Sequence, residues 1–107
     1  MTTLKDIEQG YVAKFALDEE LKFKARARCN RIVGQWAAQK LGLVGAQAEA
    51  YAKEVVMVDL ENPGTDGVFR KIRADFDVKS VAQSDHQIRR TLDEYLTHAL
   101  AELRAGR

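Results

Sequence analysis

The sequence predicts an all-α protein, a small four-helix bundle with a mobile or partly helical N-terminal segment. Three observations predict it. Apolar residues recur at helical spacing in four separate stretches, and the alternation expected of a strand is nowhere sustained. The single proline lies in an Asn62-Pro63-Gly64 turn between two of those stretches. The connections are short, which favours antiparallel packing of successive helices. At 107 residues the chain fits one domain, and its 46% hydrophobic content is enough for a core without metal or disulfide.

Residues 1–17 read as a segment apart from a bundle over 18–107. Leu4, Ile7, Tyr11 and Phe15 share one helical face, but Asp18 interrupts the stripe. Gly10 lies within it and costs about 1 kcal/mol relative to alanine. A helix this short is marginal in isolation. Its apolar stripe suits the groove of a partner, and it suits equally a dock on the chain's own bundle.

The first bundle helix is expected over about 18–41. At ~100° per residue, Leu21, Ala25, Cys29, Ile32, Val33, Trp36 and Ala37 gather on one face, and Lys24, Arg28 and Arg31 on another. Gly42 is placed to end it as the C′ residue. The second helix, about 46–61, offers Tyr51, Ala52, Val55, Val56 and Leu60 to a core. The third, about 66–78, begins after the Asn62-Pro63-Gly64 turn with Thr65 or Asp66 as cap, and offers Phe69, Ile72 and Phe76. The fourth, about 85–103, opens on Ser84 and Gln87 in capping-box spacing and offers Ile88, Leu92, Tyr95, Leu96 and Ala99.

Charge is unevenly spread although the formal net value is only +1. Asp18, Glu19 and Glu20 are followed at once by Lys22, Lys24, Arg26, Arg28 and Arg31. Lys24, Arg28 and Arg31, with Arg89 and Arg90 of the fourth helix, are the candidates for holding a phosphate group or an acidic surface. The competing reading is a solvated face with ion pairs at helical spacing, such as Arg89 or Arg90 with Asp93 or Glu94. A nucleic-acid binder would bring a more basic domain and a recognisable motif, and neither is found.

Nothing in the sequence points to catalysis. There is no Walker loop and no nucleophile–base arrangement, and the two histidines, His86 and His98, lie too far apart on one helix to share a metal. Cys29 is the single cysteine, so no internal disulfide forms and a reducing, cytoplasmic setting is expected. Its basic neighbours favour a reactive thiolate, whereas its place beside Ile32, Val33 and Trp36 favours a buried, inert thiol. No apolar run is long enough to insert directly into a membrane.

The ordered blocks KFALDEELKFKARA (14–27), WAAQKLGL (36–43), AYAKEVV (50–56), VFRKIRADFD (68–77) and SDHQIRR (84–90) resemble the zeta-subunit ATPase-inhibitor family of alphaproteobacterial ATP synthases. The resemblance covers most of the chain, from about Phe15 into the fourth helix. It implies a four-helix, non-enzymatic protein bound peripherally to the cytoplasmic F1 head of the synthase. It implies further that the N-terminal segment enters a catalytic interface and arrests ATP hydrolysis. Carried onto this chain, that segment is residues 1–19, with Lys14, Phe15, Asp18 and Glu19 in the matching part and Leu4, Ile7 and Tyr11 as its apolar stripe. The family also implies weak ATP or ADP binding and no resident cofactor. Two other functions stay open on the residues alone: a small adenine-nucleotide-binding module, and a dimeric scaffold with the N-terminal stripe as its seam.

Overall fold

A computed structural model describes residues 4–63 and 66–106, with side chains described from Asp18 onward. The described residues form four helices and no strand: α1 (Leu4–Lys40), α2 (Gly45–Glu61), α3 (Gly67–Val78) and α4 (Asp85–Arg104). The protein is an all-α four-helix bundle. Three of the helices lie within a residue or so of the expected bounds, but α1 does not.

Its helical backbone starts at Leu4, and Asp18 is not a helix start. The acidic run that reads as an interruption is held within the helix by ion pairs to the following turn. Glu19 pairs with Lys22 at 3.5 Å and Glu20 with Lys24 at 3.1 Å. Both pairs put the acid on the N-terminal side of the base, the favoured order along a helix. Burial on α1 among the described side chains is partial at Leu21 and complete at Ala25.

The helices alternate in direction. An ion pair between Arg26 and Asp59 and the contact of Gly34 with Ala52 set α2 antiparallel to α1. Tyr51 donates a hydrogen bond to Asp75 at 2.8 Å, which ties α2 to α3. Arg73 reaches Asp85 at 3.1 Å and the Gln83 carbonyl at 2.6 Å, which ties α3 to the start of α4. The Cys29 thiol donates to the Leu92 carbonyl at 3.4 Å, which closes α4 back onto α1.

The core is made where all four helices overlap. Phe76, Ile72, Ile88, Val33 and Val55 are its largest fully buried side chains. Trp36 presents its ring to that of Phe76 at 5.6 Å and 62°, an edge-on packing favoured by the ring quadrupoles. Leu60, expected to face inward, is exposed at the last turn of α2.

The ends of the helices explain the reversals. Gly42, at φ +78°, donates to the Gln39 carbonyl, and Leu43 donates to the Ala38 carbonyl. These are the paired bonds of a Schellman closure with glycine at C′, as the sequence implies. Ser84 and Gln87 make both bonds of the capping box, at 3.1 Å and 2.8 Å. Asp66 sits at the start of α3 but makes no side-chain cap, because its carboxylate is turned toward Arg89.

The end of α3 repeats the α1 closure without a glycine. Ser80 takes φ +56°, donates to the Asp77 carbonyl, and lets Val81 donate to the Phe76 carbonyl at 2.9 Å. A left-handed conformation costs an L-residue roughly 1–2 kcal/mol, a cost glycine does not carry. Ser80→Gly is therefore expected to stabilise the protein by about 1 kcal/mol, read as a higher urea midpoint at unchanged slope. No gain would mean that the serine conformation is unstrained.

Candidate functional site

Two regions carry the candidate residues: the N-terminal part of α1 and the basic side chains of the bundle. Leu4, Ile7, Tyr11, Lys14 and Phe15 belong to α1, but their side chains lie outside the described residues. Asp18 and Glu19 are exposed, and Glu19 faces Lys22.

The basic candidates point in different directions, each toward a carboxylate. Lys24 is paired with Glu20 on its own helix, Arg28 with Glu102 of α4 at 3.7 Å, and Arg31 with Glu49 of α2 at 3.9 Å. Arg90 pairs with Glu94 one turn along at 2.8 Å, the surface pair that the spacing allows. Arg89 instead crosses to α3. It binds Asp66 at 3.3 Å and lies over the Phe69 ring, 3.9 Å from its centre. The five are not gathered into one site.

A different set of residues does converge. Between α1, α2, α3 and α4 lies a cleft of about 360 Å³. Arg26 and its partner Asp59 line it, as do Arg89 and Asp66, with Cys29, Asn30 and Asp93 beside them. Of these only Arg89 was singled out by sequence reasoning as a binding residue. The Arg26–Asp59 pair joins positions 33 residues apart, which no local pattern signals. Asn30 did leave a trace: Arg26, Asn30 and Gly34 fall on one line at four-residue spacing, and a glycine in mid-helix hints that the line meets another helix.

The chemistry of this cleft is not nucleophilic. Cys29 is 3% exposed. Burial, and then the charges of Asp59 and Asp93, push its thiol up from 9.0 to about 11. The folded state thus favours the neutral thiol; stability from this group is complete below about pH 9 and is lost as pH rises through about 11. The lysines and arginines next to it in sequence do not reverse this. Cys29 is therefore expected to resist iodoacetamide at pH 8.5 in the native protein and to react once denaturant is added. Rapid native labelling would contradict the burial.

Among the described residues no group of three or more His, Cys, Asp or Glu side chains is placed to hold a metal ion. No described helix is long and apolar enough to cross a membrane.

The profile of the family described as ATPase inhibitor subunit zeta matches residues 1–102. The chain belongs to that family. The match to the zeta family takes in the N-terminal segment as well as the bundle, so both parts are family features. A protein solved in solution by NMR has a similar fold, with a TM-score of 0.68 and 37% identity, over 81% of this chain and 99% of the other. No curated protein matches. Membership in an inhibitor-subunit family is a non-catalytic role.

Proposed function

We propose that this zeta-family chain inhibits ATP hydrolysis by a bacterial F1Fo ATP synthase. The N-terminal segment, residues 1–19, inserts at a catalytic interface of the F1 head, while the bundle attaches to the outside of the same head. The observation that carries the reading is the unbroken helix from Leu4 to Lys40, which joins the proposed blocking segment to the proposed anchor without a linker.

Two physical consequences support it. A segment tethered to a docked bundle meets its site at high effective concentration. Helical continuity with a packed stem supplies the costly helix nucleus, so less interaction free energy is spent on ordering. The chain itself catalyses nothing in this scheme. It works on the cytoplasmic side of the membrane as a peripheral component and requires no cofactor. Adenine-nucleotide binding through Lys24, Arg28, Arg31, Arg89 and Arg90 is the secondary reading, disfavoured because each of these already faces a carboxylate.

The test is ATP hydrolysis by F1 from the same organism, with the full chain and with a version lacking residues 1–19. Inhibition by the full chain and none by the truncated one is expected, with helical content of the bundle retained. Equal inhibition by both would remove the segment from the mechanism.

A further inference from the structure

The cleft between the helices has chemistry that the inhibitory reading does not use. It holds three carboxylates, Asp59, Asp66 and Asp93, against two guanidinium groups, Arg26 and Arg89. Both guanidiniums are engaged: Arg26 by Asp59, Arg89 by Asp66 and by the Phe69 ring. Asp93 takes part in none of the described ion pairs, so the cleft carries an excess of one negative charge. The negative field reaches the floor, where Asp59 and Asp93 both disfavour the Cys29 thiolate.

Asn30 supplies an independent sign. It is 7% exposed and lines the cleft, yet its carboxamide makes none of the described hydrogen bonds. No described side-chain nitrogen or oxygen is sealed from solvent without a partner. The Asn30 amide must therefore meet the open space of the cleft. An amide that faces open space and has no partner in the protein is free to bond a group that enters the cleft. Val68, Phe69, Leu92 and Leu96 make the remaining wall apolar.

We infer that this cleft receives an arginine side chain presented by a protein partner, its guanidinium donating to the Asp93 carboxylate and the Asn30 carbonyl oxygen. The methylene stem of such a side chain lies along the apolar wall, as long cationic side chains do elsewhere. Arginine fits better than lysine because its planar fork donates in two directions at once. An anion is disfavoured, since it would have to displace Asp59 or Asp66 from the arginines they hold. The inference depends on the bundle attaching to a protein, not on how the N-terminal segment acts.

The test uses the full chain alone, titrated with N-acetyl-arginine amide and followed by amide NMR, with the uncharged citrulline analogue, spermidine and ATP as separate arms. Saturating shifts at Asn30, Leu92 and Asp93 are expected with the arginine probe in the millimolar range, and none with citrulline. Asp93→Asn, at an exposed position, and Asn30→Ala should each weaken binding by about tenfold, the worth of a hydrogen bond to a charged group. Absence of saturation, or equal binding of the citrulline analogue, overturns the inference. Spermidine binding as tightly as arginine overturns the protein partner in favour of a free polyamine. ATP shifting the same amides at lower concentration overturns the cation preference. A failed titration beside a positive F1 assay would leave the inhibitory reading standing.

Discussion

Phe76→Ala is expected to destabilise the bundle by about 3–5 kcal/mol, the range for removing a buried aromatic ring. Phe76 is fully enclosed where all four helices meet, so its loss is felt by every interface. The Trp36 ring loses its edge-on neighbour, and the other large fully buried side chains of the core, Val33, Val55, Ile72 and Ile88, are all β-branched. Such side chains have few rotamers with which to fill a space. Small domains are stable by only about 5–15 kcal/mol, so this one change removes a large share of the total. Urea unfolding followed by tryptophan emission measures it, because Trp36 is the single tryptophan. A cost below about 1 kcal/mol would show that the core collapses around the void.

Gly34→Ala is expected to destabilise as well, although alanine is the better helix former by about 1 kcal/mol. A methyl group built on Gly34 would stand 2.7 Å from the Ala52 Cα and 3.2 Å from the Val55 Cβ. The nearer atom is backbone, so relief requires α1 and α2 to move apart rather than a side chain to turn. Overpacking of this kind costs roughly 1–3 kcal/mol, which exceeds the propensity gain at most values in that range. A larger side chain makes the sign unambiguous, and Gly34→Leu should cost about 3 kcal/mol or more. Adding Ala52→Gly to Gly34→Ala should recover little, because the clash is with Cα and not chiefly with the Ala52 methyl. Full rescue in a double-mutant cycle would contradict this account.

The parts of the fold legible in the sequence were those written in local spacing. The capping box at Ser84 and Gln87, the glycine closure at Gly42 and the inward faces of α3 and α4 all follow from residues within a turn or two of each other. The start of α1 did not, since a charge reversal and Gly10 look like a boundary unless the pairs from Glu19 and Glu20 to the next turn are weighed. The closure at Ser80 was hidden for another reason: serine has no preference for the left-handed region, and the conformation is imposed by Val81 packing back on the core. Of the candidate site residues, Arg90 behaves as helical spacing suggests. Arg89 does not, because its partners Asp66 and Phe69 are on another helix. The cleft as a whole was illegible for the same reason, being assembled from four helices with one or a few residues from each.

The closures at Gly42 and Ser80 lie at the same end of the bundle, the end where α1 passes into α2 and α3 into α4. That end is closed by backbone bonds within the last turns of α1 and α3, whereas the far end holds the Arg26–Asp59 pair, the finish of α2 and the last turns of α4. A splay of α1 from α2 about the Gly42 turn that joins them would open further with distance from that turn, against the Arg26–Asp59 pair. Over the ~25 Å length of a 17-residue helix, a splay of about 5° displaces the far end by roughly 2 Å. The cleft beside Arg26 lies toward that far end, where a given angular change produces the greatest travel.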